Sequence, residues 1–371
     1  MTDNPSFVLK SIENTAFENR DVPSDIGPDE VLVEVKKTGV HYLVHGRIGD
    51  FVVTNPMVLG HESSGFIYKV GSNVKHVAPG DRVAMEPGAT CGQCEYCKGG
   101  KYNLCADVIF AATPPYHGTL CRYYRLPGHL AYPLPANVSL EDGAMIEPLG
   151  VGVHSVSNLG NFRAGQSIAV FGCGPVGLLC MAVAKAIGAA RIIAIDISEE
   201  RLAFAKTYAA TDAYLPTKQN KGESNVDYSK RNATAMKGTL GIAERGPRGL
   251  DLIIDASGAE VCIQTGFHIA KVGGIFVQVG MGNPNVTVDM GVLETKELVV
   301  KGSFRYGPGD YNLAIALVAG GKINLKPLVT HRYAFERALE AFQATRAGKS
   351  PDGKGVIKAI ISGPGVSPDS V

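Results

Sequence analysis

The 371-residue chain carries 36 Lys and Arg against 35 Asp and Glu, and 45% of it is hydrophobic. A net charge of +1 gives no electrostatic footprint for nucleic acid or an anionic membrane, and no apolar run approaches the ~20 residues of a membrane helix. At about 150 residues per domain the length predicts two domains. Residues 1–10 lack the basic-then-apolar layout of a secretory signal. Cys121, Cys173, Cys180 and Cys262 lie scattered, mostly in apolar stretches, where they read as buried small hydrophobes rather than disulfide partners. A reducing, cytoplasmic location is expected.

From 31 to 138 the sequence predicts short strands broken by Gly and Pro, at 31–35, 65–70 and 81–84 among others. That texture suits an irregular β-barrel. Within it, Gly60-His61-Glu62-x2-Gly65-x5-Gly71-x2-Val74 sets an imidazole beside a carboxylate at a strand entrance. Alone, such a pair reads as solvated or structural. A stronger signal follows in Cys91-x2-Cys94-x2-Cys97-x7-Cys105. Four thiolates at that spacing can close on one Zn²⁺ with no open position, which defines a structural site. Disulfides fit a reducing compartment poorly, the spacing matches neither ferredoxin pattern, and the charge disfavours a nucleic-acid-binding zinc ribbon.

Beyond Pro148 apolar strand runs alternate with helical periods: 168–171, 192–195, 252–254, 275–279 and 298–300, with a weaker run at 213–215. Strands without polar alternation, separated by helices, predict a parallel sheet covered on both faces, an α/β doubly wound unit. The polar stretch 217–249 reads as a surface excursion with one helix, and 363–371 as a frayed end.

Between the first run and a helix predicted over 176–187 lies Gly172-Cys173-Gly174-Pro175-Val176-Gly177, and Asp196 closes the second run. This is the fingerprint of a dinucleotide-binding strand–turn–helix–strand unit. Gly172 permits the tight turn, Gly174 lets backbone N–H groups approach a pyrophosphate, and Gly177 lets helix and strand pack closely. The helix N-terminus, from Val176, supplies partial positive charge. Asp196 can accept from both ribose hydroxyls and repels a 2′-phosphate, which favours NAD over NADP.

The segment from Gly60 to Val74 resembles the signature of the zinc-containing alcohol dehydrogenases of the medium-chain dehydrogenase/reductase superfamily. The cysteine lobe and the nucleotide fingerprint stand where that family has them. Tyr102-Asn103-Leu104-Cys105, Phe110-Ala111-Ala112-Thr113-Pro114-Pro115, Gly143-Ala144-Met145-Ile146-Glu147-Pro148-Leu149 and Lys301-Gly302-Ser303-Phe304-Arg305-Tyr306 are similar to the polyol dehydrogenase branch, which acts on sorbitol and xylitol. Val44-His45-Gly46-Arg47-Ile48-Gly49-Asp50-Phe51 looks most like the fungal xylitol dehydrogenases (D-xylulose reductases).

The resemblance implies a GroES-like catalytic domain over 1–150, with a structural zinc lobe at 87–108. A Rossmann NAD-binding domain would span 151–304, and 305–371 would return to the first domain. His61 and Glu62 would hold a catalytic zinc, and Tyr42, Glu147, Arg305 and Tyr306 would contact the polyol. Asp196 and Arg201 would hold the adenosine ribose. Val279-Gly280-Met281 and Ser303-Phe304-Arg305 would line the nicotinamide. The implied activity is zinc-assisted hydride transfer from a polyol to NAD, xylitol to D-xylulose first, in a homotetramer without nucleic-acid or membrane partners.

One departure stands out. Where the family continues Lys-Lys-Thr-Gly with Ile-Cys-Gly-Ser-Asp-Val-His, here Lys36-Lys37-Thr38-Gly39 runs directly into Val40-His41-Tyr42. The five missing residues include the catalytic-zinc Cys and the Ser that relays the proton, and no cysteine precedes Cys91. By this reading His61 and Glu62 are short of one soft ligand, and His41 is the nearest residue that could replace it. Impaired polyol oxidation is expected. Sorbitol or L-arabinitol as substrate, a zinc-independent reductase, and an inactive NAD-binding protein are the competing readings.

Overall fold

The computed structural model describes residues 3–41, 47–48 and 51–369, with the backbone alone at 47, 48, 51 and 52. The chain divides into two compact units, Met1–Glu147 with Gly307–Val371, and Pro148–Tyr306. Tyr42 lies outside the described residues, as does most of the motif from Val44 to Phe51.

The first unit is built on a seven-stranded sheet. Across it run Ala131–Pro133, Arg82–Met85, Glu62–Val70, Glu30–Gly39, Lys358–Ser362 and Val329–Tyr333, while Tyr123–Pro127 also pairs with Glu30–Gly39. The expected strands at 31–35, 65–70 and 81–84 fall in Glu30–Gly39, Glu62–Val70 and Arg82–Met85. Alternation in the first of these turns Val31, Val33 and Val35 inward to pack with Ile67, Val83, Met85 and Leu126.

The C-terminal strand Lys358–Ser362 is fully buried and runs antiparallel to Glu30–Gly39, with Ile360 opposite Gly39. Its neighbour Val329–Tyr333 carries Arg332, whose Nη2 and Nε donate to Glu141 at 2.6 and 2.7 Å. Glu141 sits in the first turn of the helix Leu140–Ala144, which Ser139 and Asp142 close with a capping box. The tail expected to fray is also tied down. Lys37 is 1% exposed, and its ammonium donates to Ser362 Oγ at 3.1 Å, Pro368 O at 3.1 Å and Ser367 O at 3.5 Å. A buried ammonium needs acceptors, and the tail carbonyls supply them; burial still holds the Lys37 pKa below its ordinary value.

The second unit is a six-stranded parallel sheet ordered Asp212–Tyr214, Arg191–Ile195, Ser167–Phe171, Leu250–Asp255, Ala270–Gln278 and Val299–Gly302. In chain terms this is third, second, first, fourth, fifth, sixth, the doubly wound order whose reversal creates a ligand crevice at the carboxyl ends of the strands. Every residue of Ser167–Phe171 is buried, which is why its sequence is apolar without alternation. The helix Pro175–Ile187 starts with proline in its first turn and ends at Gly188 in the left-handed region, φ 101°. The segment 217–249 holds one helix, Asn225–Leu240, N-capped by Ser224.

Arg332→Met is expected to lower unfolding stability by about 1–3 kcal/mol, because it strips both charged donors from the buried Glu141. Chemical denaturation checks this. An unchanged midpoint would show that the pair does not anchor the C-terminal strands.

Candidate functional site

Three ligand groups converge in the first unit. Ligand atoms of His61, Glu62 and Glu147 all lie within 4.8 Å of one another. His61 precedes the strand Glu62–Val70, and Glu147 stands in the first turn of the helix Ile146–Val153. The strand is placed by its partner, with Gly39 opposite Glu62 and Thr38 opposite Ser63. Gly39 is obligatory here, since a Cβ would lie 1.9 Å from Glu62 Oε2. The helical segment is held against the same strand: Ser64 Oγ donates to Leu140 O, and a Cβ on Gly143 would approach Ser64 Cβ to 2.9 Å. Below lies a buried hydroxyl row, Thr38 Oγ1 to Ser63 Oγ at 2.8 Å and Ser63 Oγ to Thr119 Oγ1 at 2.5 Å.

Glu62 is 2% exposed and pairs with Lys358, itself 3% exposed. The Lys358 ammonium also donates to Val40 O at 3.2 Å. The ion pair runs through Glu62 Oε2. The His61 ring lies between two neighbours, Phe110 at 5.8 Å and His41 at 5.3 Å, the latter nearly perpendicular at 87°. His41 stands beside this ring, and the trio whose ligand atoms converge is His61, Glu62 and Glu147. The donor set is one imidazole nitrogen and two carboxylate oxygens, which suits a divalent cation with positions left for water or substrate.

The cysteine lobe gives a second, closed cluster. Ligand atoms of Cys91, Cys94, Cys97 and Cys105 lie within 4.8 Å of one another, and Cys91 Sγ stands 3.5 Å from Cys105 Sγ and 3.9 Å from Cys97 Sγ. A tetrahedron with Zn–S arms of ~2.3 Å has edges of roughly 3.8 Å, so these thiols fit zinc and are too far apart for disulfides. Backbone N–H groups of Gln93 and Cys94 point at Cys91 Sγ and pull its pKa down to about 6, toward the thiolate a metal needs. The lobe is anchored through Tyr102, whose hydroxyl donates to Glu86 Oε1 at 2.6 Å while Tyr132 donates to Oε2 at 2.8 Å. Burial raises the Glu86 pKa against the pull of these two phenols.

The second unit places the glycine fingerprint at the carboxyl end of Ser167–Phe171. Gly172 has φ 90°, and a Cβ on Gly177 would lie 1.8 Å from Gly172 O, whereas one on Gly174 would meet nothing within 4 Å. Packing demands the third glycine, while the second leaves its backbone face open. Asp196 is 8% exposed; its Oδ2 accepts from Cys173 N at 2.7 Å and its Oδ1 from Ser198 N at 2.9 Å. Each oxygen keeps a further lone pair for a ribose hydroxyl. Arg201 lies exposed in the following helix, its N–H capped by Ser198.

Two more loops meet at the same sheet edge. Val279 N and Gly280 N donate to Asp255 O at 2.9 and 2.8 Å, and a Cβ on Gly280 would lie 2.4 Å from Gly258 N. The wholly buried Asp255 organises them, accepting from Ser257 Oγ at 2.6 Å, Gly258 N at 2.9 Å and Gln278 Nε2 at 2.6 Å. Met281 is left exposed. Ser303 is fixed by Ser155 Oγ at 3.0 Å and Gln278 O at 2.8 Å. Arg305 has φ 59° and lies 4.6 Å over the Phe304 ring, and Tyr306 is buried. Sequence reasoning missed Lys358, Asp255 and the Glu86–Tyr102 anchor, and gave Glu147 a substrate role only. A carboxylate opening a helix beside Pro148 was its one visible signal.

A doubly wound nucleotide-type sheet and a first unit carrying two metal-competent clusters define a metal-dependent dehydrogenase. The comparisons agree. Residues 175–320 match the zinc-binding dehydrogenase family and residues 27–136 the alcohol dehydrogenase GroES-like domain. The chain is 52% identical to a probable D-xylulose reductase A of Aspergillus fumigatus over 97% of both chains. It is 51% identical to the D-xylulose reductase A of Aspergillus niger, again over 97% of both. Among solved structures, L-idonate 5-dehydrogenase of Escherichia coli superposes with a TM-score of 0.82 at 26% identity, over 97% of this chain and 98% of that one. The chain belongs to the zinc-binding, medium-chain alcohol dehydrogenase family.

Lys358→Met is expected to cost about 3–5 kcal/mol in metal-free protein, because Glu62 is then a buried uncompensated charge. Added Zn²⁺ should recover part of that loss by neutralising the same carboxylate. Thermal unfolding with and without Zn²⁺ reads both effects, and an equal loss in the two conditions would separate Glu62 from the metal.

Proposed function

We propose that the chain is an NAD-dependent polyol dehydrogenase that interconverts a polyol and its ketose, xylitol and D-xylulose being the pair. The observation that carries this reading is the convergence of His61, Glu62 and Glu147 within 4.8 Å, in a chain whose relatives are named D-xylulose reductases. His61, Glu62 and Glu147 hold the catalytic ion, and Cys91, Cys94, Cys97 and Cys105 hold the structural zinc. The catalytic ion, when bound, supplies Lewis-acid polarisation of the substrate oxygen. Tyr42, Arg305 and Tyr306 offer the polar contacts that a hydroxyl-rich chain requires. Asp196 takes the ribose hydroxyls, Arg201 lies along the adenosine, and the backbone at Gly174 with the helix N-terminus takes the pyrophosphate. Val279, Gly280, Met281, Ser303 and Phe304 wall the nicotinamide. The free thiols of Cys121, Cys173, Cys180 and Cys262 suit the cytoplasm, and the exposed edge residues Val299 and Val300 suit a homotetramer.

NAD is expected to bind well ahead of NADP, since Asp196 opposes a 2′-phosphate with like charge. Calorimetric titration of both cofactors checks this, with Asp196→Ala narrowing the gap; equal affinities in the unmodified chain would contradict it. The missing segment bears on rate more than on binding. Without the relay Ser the proton lacks its exit, so xylitol turnover should fall well below ~1 per second. Inserting Ile-Cys-Gly-Ser-Asp between Gly39 and Val40 should restore it, whereas the same insert with Ala for both Cys and Ser should not. A full rate in the unmodified chain would locate the proton path elsewhere.

A further inference from the structure

The donor atoms of the converging trio point beyond zinc. Among the described residues the cluster is one imidazole and two carboxylates, His61, Glu62 and Glu147, and contains no thiolate. Thiolate is the ligand that separates zinc from harder divalent ions; carboxylate and water serve Mn²⁺ well, and imidazole is shared between the classes. Cys121 cannot supply the sulfur. It is buried, its thiol is turned to Tyr123 O at 3.2 Å, and burial pushes its pKa up to about 12.

Lys358 sharpens the selection. Its ammonium pairs with Glu62 Oε2 and donates to Val40 O at 3.2 Å, and while that pair is kept Glu62 has one oxygen left for an ion. Monodentate carboxylates disfavour Ca²⁺, which collects six to eight oxygens with bidentate carboxylates among them, and Mg²⁺ dehydrates reluctantly into all-protein sites. The same cation offsets one of the two carboxylate charges, so a divalent ion leaves the ensemble one positive charge in excess, ready for an anionic or polarised oxygen.

We propose that the His61–Glu62–Glu147 centre is a manganese-competent site that shares Mn²⁺ and Zn²⁺, while the four-cysteine lobe of the same chain holds zinc alone. The inference rests on the reading of the trio as the catalytic metal centre and adds the identity of the ion. It follows from the chain passing from Gly39 directly to Val40, which removes the one soft donor and leaves Glu147 as third ligand.

The test uses the full-length chain, dialysed against a mild chelator until one zinc per chain remains. Titration with Mn²⁺ alone is followed by electron paramagnetic resonance, in which bound Mn²⁺ loses the sharp six-line signal of the free ion. One bound Mn²⁺ per chain is expected, lost in both His61→Ala and Glu147→Gln. To keep the test independent of how either variant folds, a competition on the unmodified chain stands beside it. With Mn²⁺ in large excess, because nitrogen and oxygen donors bind Zn²⁺ more tightly ion for ion, elemental analysis should find both ions at the second site. Inserting Ile-Cys-Gly-Ser-Asp after Gly39 should raise the Zn²⁺ to Mn²⁺ ratio there by roughly tenfold or more, since a thiolate bound to the ion matters at least as much as groups that only orient its ligands. If Zn²⁺ fills the second site and Mn²⁺ never does, the inference fails while the dehydrogenase reading stands. If neither ion raises the metal content above one per chain, the metal-centre reading fails with it.

Discussion

Glu62 is a carboxylate 2% exposed to water, and the strand pairing of the first unit brings it a cation. Burying an isolated carboxylate is prohibitive, so it must meet a cation. Lys358 supplies one, which requires the C-terminal strand Lys358–Ser362 to lie beside Glu30–Gly39. Gly39 must then lack a side chain, because a Cβ would occupy the place of Glu62 Oε2. The return of the last segment to the first unit, the register of three strands and the position of a candidate metal ligand all meet in this one ion pair. Lys37 and Glu141 repeat the device nearby, the first with tail carbonyls and the second with Arg332. The terminal segment is thereby held by polar contacts as well as by packing.

The same economy governs the two units separately. In the parallel sheet, Asp196 and Asp255 are buried at strand ends on either side of Ser167–Phe171, and both accept from backbone N–H groups of the loops that follow or face them. Those hydrogen bonds fix the loop backbones at the carboxyl ends of the strands, and preorganisation of that kind lowers the ordering cost of binding. In the cysteine lobe the N–H groups of Gln93 and Cys94 do for a thiolate what they do elsewhere for carboxylates. Tyr102 and Tyr132 then dock the lobe on Glu86.

How much of this was readable in the sequence depended on how far apart the participants lie. The cysteine lobe and the glycine fingerprint are local: Cys91 to Cys105 and Gly172 to Gly177 each sit within one loop or one turn, so spacing alone carries the chemistry. The apolar runs of the parallel sheet were legible because both faces are covered, which forces uninterrupted hydrophobic strands. Glu147 as a partner of His61 was not legible, because it depends on how closely Gly143 lets a helix approach Ser64. Lys358 was invisible for the same reason, its strand being paired only through the tertiary fold. The tail was misjudged from its Gly, Ser and Pro content, which gives no sign that Lys37, buried far away in sequence, needs its carbonyls.

The central claim is that the chain assembles a divalent-metal centre from one imidazole and two carboxylates, without a thiolate. Zinc-edge X-ray absorption on the fully zinc-loaded chain tests it most directly. The account predicts two zinc environments in equal amount: one with sulfur at ~2.3 Å from the lobe, and one with nitrogen and oxygen at ~2.0–2.2 Å from His61, Glu62 and Glu147. In Glu147→Gln the lighter shell should shrink while the sulfur shell is unchanged. A spectrum of sulfur alone from the unmodified chain, at one zinc per chain, would contradict the account.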